Sequence, residues 1–368
     1  MPEAATDVDR LVASSFKVLD SYQLEGGESE YRVEYEARTK QSFASLRRTL
    51  AGKGLTPWLT GSESECVLQL KKSQAVEQKG SRLPVILALL TLSSVIVFSL
   101  LERIVYDQFV PGAPGYFVVL SYGGTVVALL AAREVGHRYS SSRSGDAPST
   151  SLFIPGIPYL TSFLPTLGAT SLAKKPSLNR DSLFVSRISG PLSCIALAVV
   201  LYLIGDLTAY GSSTVVQQSQ FLFFNPSGIE WGIDSLLGPL AGGAASAVRL
   251  SPIADGATVG LAVGAIGLMP LAYFDGGYLS SLAWGQRASR VAGYLTIFLL
   301  FVVDIGHTQS YWALSVFALL LVGRPPQVLL LDEVSKLSNS RKWAYLAAIL
   351  LLILCLPVPQ DIAGFPLG

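Results

Sequence analysis

Hydrophobic and polar positions keep one rhythm up to about residue 80 and another beyond it. In the first stretch the periods are short. Tyr31, Val33 and Tyr35 interleave with Arg32, Glu34 and Glu36, a period of two that predicts a half-buried strand. Phe43, Leu46 and Leu50 follow at helical spacing until Gly52 and Gly54, and Cys66 to Leu70 reads as a further strand. Residues 1–80 therefore predict a small α+β domain, a length that just supports its own core. From residue 83 the pattern turns to long apolar runs. Residues 83–101 approach the ~20 needed by a helix that crosses a bilayer. Further runs cover 116–137 and 183–205, a fourth starts near 258 and breaks at Pro270, and 291–303, 311–322 and 343–357 complete the set. The expectation is a polytopic α-helical membrane domain over 83–358, with about six to seven transmembrane helices.

Two connections do not read as ordinary loops. Residues 151–173 are apolar but interrupted by Pro155, Gly156, Pro158, Pro165 and Gly168, which rules out a clean spanning helix. Irregular backbone at membrane depth is tolerated only against protein or a wet cavity, so a re-entrant, β-like segment is predicted here. Residues 206–257 carry Trp231 and scattered acids and read as an outer, interfacial connection. Within the second span, Gly123-Gly124 can admit a close helix neighbour.

Composition agrees with the apolar runs. Half of the residues are hydrophobic and only 14% are charged, with a mean hydropathy of +0.47. The formal net charge is +1 and no long block of one sign exists, which gives no reason to invoke nucleic acid. Cys66, Cys194 and Cys355 stand too far apart for a metal knuckle or a disulfide framework. The first residues lack the basic and then apolar order of a signal peptide, so insertion is expected to rely on the internal spans. Lysine and arginine set the orientation. Arg138, Arg143, Lys174, Lys175 and Arg180 follow the second span, Arg287 and Arg290 the fourth, and Arg324, Lys336, Arg341 and Lys342 the sixth, while the opposite loops hold little beyond Arg103 and Arg249. By the positive-inside rule the N-terminal domain is cytoplasmic and the multi-pass chain sits in a cell membrane.

Chemistry concentrates in two places. The second span closes on Arg133-Glu134-Val135-Gly136-His137, which sets Arg133 and His137 one turn apart on one helix face with Glu134 between them. This is the geometry of the zinc-protease pattern H-E-x-x-H with arginine at its first position. The break in the fourth span, Pro270 through Asp275-Gly276-Gly277, places a carboxylate within an apolar segment, where it must face a partner or cap a helix end.

In this order, the H-E-x-x-H-like helix, the Pro/Gly-rich segment 151–173, the helix from Leu183-Phe184 through Gly190-Pro191, and Pro270 through Asp275-Gly276-Gly277 resemble the site-2 protease family of intramembrane zinc metalloproteases. The resemblance covers about 83–345, and the front domain is similar to that of archaeal and plastid-type members. It implies a helical core around a zinc ion buried below the membrane surface, with Glu134 as general base and His137 and Asp275 as metal ligands. It also implies clients that are transmembrane segments of other proteins. These would meet the strand edge of the re-entrant segment by β-augmentation, with Ser162, Phe163 and Pro270 as contacts.

The departures lie in the chemistry. A guanidinium has no lone pair to give, so Arg133 cannot be a ligand, and His137 and Asp275 leave the set one short of the usual three. His307, the other histidine, falls on the opposite side by the predicted topology, and Gly267 stands where the family has an asparagine. Arg133 has two readings: a cation that replaces part of the metal's charge beside Glu134 and Asp275, or a side chain that snorkels from a helix end. Two functions follow. One is an intramembrane zinc metalloprotease, which Arg133 puts in question; the other is a catalytically inactive pseudoprotease that binds or regulates membrane-protein clients. A transporter has less support, because the chain shows neither paired broken segments nor a chain of intramembrane charges.

Overall fold

The computed structural model describes residues 7–24, 28–72, 81–109, 112, 114–146, 149–158, 161, 164–172, 175–211, 226–237, 249–306 and 328–356. The predicted span at 311–322, His307, Ser162 and Phe163 lie outside the described residues.

The front of the chain folds as α1 (Asp7–Ser15), β1 (Val18–Leu24), β2 (Glu28–Val33), α2 (Thr39–Ala51), β3 (Leu55–Gly61) and β4 (Cys66–Lys72). Its four strands form one antiparallel sheet in the order β1-β2-β4-β3. The period-two alternation at Tyr31 and Val33 gives β2, which buries both side chains and ends at Val33, short of Tyr35. Phe43, Leu46 and Leu50 form the buried stripe of α2, packed with Val12, Leu59 and Leu68 into a hydrophobic cluster of their own. Burial pushes the Cys66 thiol up to about 11.

Among the described residues three helices are long and apolar enough to cross a membrane: α3 (Leu83–Phe109), α4 (Gly115–Arg143) and α5 (Arg180–Leu207). The chain is a membrane protein with a mostly helical fold. Between α4 and α5, the segment 151–173 makes a β-hairpin, β5 (Thr150–Pro155) with β6 (Thr166–Leu172), paired Ser151 to Ser171 and Phe153 to Ala169. The Ser94 hydroxyl of α3 ties its closed end by donating to the carbonyls of Gly156 (2.7 Å) and Pro165 (2.8 Å).

The predicted outer connection 206–257 holds the two-residue strands β7 (Tyr210–Gly211) and β8 (Arg249–Leu250) with α6 (Gly228–Leu237) between them, and its last residues already belong to α7 (Pro252–Leu268). The fourth apolar helix thus starts before residue 258, because Ser251 caps it and Pro252 fits its first turn. Glycines spaced four apart let α7 sit close to its neighbours. A Cβ on Gly256 would lie 2.9 Å from Thr125 of α4, on Gly260 2.5 Å from Leu129, and on Gly264 2.3 Å from Ile195 of α5. Gly123 similarly admits Ser99 of α3, whereas Gly124 faces open space. Past the break at Pro270 come α8 (Asp275–Trp284), α9 (Gln286–Gly306), which is longer than the predicted 291–303, and α10 (Asn339–Cys355).

One segment joins the sheet to the helices. Residues 329–333 run between β3 and the start of α5, bonded on both sides: Leu59 N–H donates to the Leu331 carbonyl (2.7 Å) and Glu333 N–H to the Leu59 carbonyl (2.9 Å). On the other side Leu331 N–H reaches the Ser177 carbonyl (2.8 Å) and Asp332 N–H that of Leu178 (3.0 Å). Leu331 and Val334 complete the sheet's hydrophobic cluster from some 260 residues further along the chain. Lys40 of α2 adds an ion pair to Asp181 of α5 at 2.7 Å, and Asp181 also accepts from Ser338 N–H at the start of α10.

Leu331→Ala removes a fully buried side chain at this junction and is expected to cost ~2–5 kcal/mol. Faster hydrogen exchange at the Leu59 amide, with exchange in α4 and α5 unchanged, is the expected readout; uniform loosening of all helices would contradict a local tie. Cys66, held protonated and buried, is expected to resist maleimide at pH 8 in the folded protein and to react once the sheet is unfolded.

Candidate functional site

Helix α4 turns one face inward at the level of the motif. Arg133 and His137 are both buried at 2% exposure, one turn apart as the sequence spacing requires. Gly136 makes this possible, since a Cβ there would meet the Ser193 hydroxyl of α5 at 2.1 Å; one on Gly190 would make only ordinary contacts with Arg133 and His137, at 3.4 and 3.6 Å. Asp275 arrives from the other direction as the first residue of α8, 1% exposed. Gly276 and Gly277 are needed there for closeness rather than for a turn: neither has positive φ, and their Cβ atoms would lie 2.1 Å from the carbonyls of Leu268 and Leu271. The paired glycines let the helix start pack against the backbone that precedes it.

The structure brings Arg133 and Asp275 together. Arg133 Nη2 donates to Asp275 Oδ2 at 2.5 Å and to the Ala169 carbonyl of β6 at 2.6 Å. Arg133 therefore does not snorkel; it is a buried counter-ion, and its partner is Asp275 rather than Glu134. A second arginine completes the group. Arg187 of α5, 1% exposed, donates through Nη1 to Asp275 Oδ1 (3.3 Å) and to the Ser171 carbonyl (2.7 Å), and its guanidinium carbon lies 4.0 Å from the centroid of the Tyr278 ring. Arg133 Nη1 and Arg187 Nε are buried with no hydrogen-bond partner among the described residues.

His137 and Glu134 are occupied elsewhere. The imidazole Nδ1 lies 2.7 Å from the Ser186 carbonyl and so carries the proton, leaving Nε2 to accept from the Ser149 hydroxyl at 2.5 Å. Glu134 accepts from Arg138 Nε at 2.5 Å through one oxygen and from the Ser151 hydroxyl through the other. Pro270 lies in the connection between α7 and α8, its carbonyl 2.9 Å from where a Cβ on Gly293 of α9 would stand. Gly267 faces Pro191 of α5.

These residues do not fit a divalent metal ion. Two guanidiniums take both oxygens of Asp275, and the ring nitrogens of His137 are bonded to a carbonyl and a hydroxyl. Among the described residues no group of three or more His, Cys, Asp or Glu side chains gathers closely enough to hold one. What the arrangement provides is a fixed, buried ion triad that ties α4, α5, α8 and β6. Arg187 escaped the sequence reading because it sits within an apolar run long enough to be taken whole as a span. Its signal was available: an ionisable residue inside such a run needs a partner.

Since two cations share one carboxylate, removing the carboxylate should hurt more than removing either cation. Asp275→Asn strands two buried guanidiniums and is expected to cost ~3–5 kcal/mol, whereas Arg133→Gln leaves Asp275 paired with Arg187 and should cost less. Thermal unfolding in detergent micelles measures both, and equal losses would count against a shared carboxylate.

No family model matches the chain, and no solved structure matches it. Among curated proteins it is similar to several of plants. Probable zinc metalloprotease EGY2, chloroplastic, of Arabidopsis thaliana is 27% identical over 249 residues, 66% of this chain and 42% of the relative. Probable zinc metalloprotease EGY1, chloroplastic, of Oryza sativa subsp. japonica is 28% identical over 249 residues, 66% of this chain and 41% of the relative. Probable zinc metalloprotease EGY3, chloroplastic, of Oryza sativa subsp. indica is 23% identical over 313 residues, 80% and 51%. The aligned parts span about half or less of these relatives' own length. The chain is thus similar to proteins named as zinc metalloproteases over about two thirds or more of its length.

Proposed function

We propose that this protein is a membrane protein of the site-2 protease type whose hydrolytic centre has become an ion triad, a pseudoprotease that binds or regulates transmembrane segments of other proteins without cutting them. The observation that carries the reading is the buried contact of Arg133 with Asp275 at 2.5 Å, in the place where the resemblance puts a metal ligand and its metal. Support also comes from Glu134, whose oxygens accept from Arg138 and from the Ser151 hydroxyl. The order of elements, from the motif helix through the β5–β6 hairpin to the paired glycines after Asp275, follows that of the family.

A second reading, an intramembrane zinc metalloprotease, is favoured by the names of the relatives. It would require His137, Asp275 and an additional ligand to displace the present partners of both residues. In either reading we place six to seven spans in the bilayer, with residues 1–80 as a cytoplasmic domain and 83–358 as the membrane domain. The abundance of Lys and Arg in the loops after the second, fourth and sixth predicted spans supports that orientation. Client segments would approach the re-entrant segment 151–173, with Ser162, Phe163 and Pro270 as contacts.

Elemental analysis of the purified protein tests the central reading. Less than a tenth of a zinc ion per chain is the expected result, and one zinc per chain would sink it. Photocrosslinking from Ser162 or Phe163 is expected to capture membrane helices that stay uncut, and cleaved adducts lost on Glu134→Gln would favour the protease instead.

A further inference from the structure

The zinc ion of a metalloprotease brings two positive charges to its site, and a single arginine brings one. The site contains two. Arg133 and Arg187 approach the same carboxylate from different helices, one at each oxygen of Asp275, and both are fully buried. They are aligned by the same strand, since Arg133 donates to the Ala169 carbonyl and Arg187 to that of Ser171, two residues further on and therefore on the same edge of β6. We propose that Arg133 and Arg187 together are a dication surrogate, and that Arg187 is a second determinant of metal exclusion, independent of the missing histidine at position 133.

The charge count favours a pair. A divalent ion with one carboxylate and neutral histidines leaves a net charge of one, and two guanidiniums with the same carboxylate leave the same net charge. The field around the site is then preserved when the metal is replaced, so the surrounding helices need no further change of charge. A guanidinium cannot shed its proton, so the substitution is permanent at every accessible pH. The unused donors point the same way. Arg133 Nη1 and Arg187 Nε are buried without partners among the described residues, so neither side chain is there to exhaust its hydrogen bonds; charge is what the site takes from them. The Tyr278 ring holds the Arg187 cation in place by offering its negative face.

The consequence concerns repair of the site. Arg133→His would restore the family's motif on α4 and supply a third ligand beside His137 and Asp275. Arg187 would remain between Asp275 and the Ser171 carbonyl, hold one carboxylate oxygen and repel an incoming dication. The motif substitution alone is therefore insufficient.

The inference rests on the reading that the natural protein binds no zinc, and the experiment separates the two. The full-length chain is purified as Arg133→His, Arg133→His with Arg187→Gln, and Arg133→His with Arg187→Lys, and is titrated with zinc by equilibrium dialysis and with cobalt(II) by absorption spectroscopy. Only the Gln double variant is expected to take one metal per chain, at least a hundredfold more tightly than Arg133→His, with the intense visible band of tetrahedral cobalt. The Lys double variant, which keeps the charge, is expected to stay empty. One tightly bound zinc per chain on Arg133→His alone would overturn the proposal, and that single variant decides it even where the double variant folds poorly. Equal affinity of the Lys and Gln variants would overturn it as well. Zinc on the natural chain would instead sink the pseudoprotease reading itself.

Discussion

One carboxylate shared by two guanidiniums holds the centre of this molecule together. Asp275 faces a guanidinium at each of its oxygens, and all three groups are buried. A buried charge left alone is costly, so the charges must stay paired, and the three helices that deliver them, with β6 bonded to both arginines, must stay assembled. Attraction within each pair is on the order of 4 kcal/mol at 4 Å for an effective dielectric of 20. Removal of the ions from water costs several kcal/mol apiece, so the net gain in stability is small. What the triad supplies is register. It fixes how far α4 is rotated, where α8 begins and how β6 lies across them. The glycines at 136, 276 and 277 serve the same end, because side chains there would hold these backbones apart and leave the charges out of reach.

Much of this was legible because its physics is local. A turn of helix puts Arg133 and His137 on one face, and an aspartate in an apolar segment needs a partner. Prolines and glycines scattered through 151–173 forbid a helix and leave a hairpin. Other features had weaker signals. β1 is an edge strand with Asp20, Ser21 and Gln23 among its residues and with Leu19 and Tyr22 exposed, so alternation is lost; β3 contains Pro57. Arg187 was hidden by the very hydrophobicity that identified its helix. The bonds between Leu59 and residues 331–333 join parts of the chain about 270 residues apart and have no local signature at all.

The site and the similar proteins point to different chemistries, and the difference comes down to a few atoms. The centre holds Glu134, His137 and Asp275, the residues to which the family resemblance would give the parts of general base and metal ligands. Each is bonded to groups of the protein instead. Glu134 is held by Arg138 and Ser151, His137 by Ser186 and Ser149, Asp275 by the arginines. On the pseudoprotease reading proposed above, the scaffold would persist because the charges are replaced, since packing around a buried site depends on charge and shape rather than on turnover.

The short segment that lies between β3 and the start of α5 also has a meaning in time. Until residues 329–333 emerge, the β3 edge at Leu59 lacks these partners, and an open edge is the kind of surface that pairs with whatever strand it meets. At ~5–20 residues per second, a ribosome needs roughly fifteen seconds to a minute to cover that distance. During that interval α3, α4 and α5 are made and must enter the bilayer while the sheet waits incomplete. Closure of the sheet is therefore a late event in biogenesis, and it takes place only when residues from both ends of the membrane region have come out on the same side.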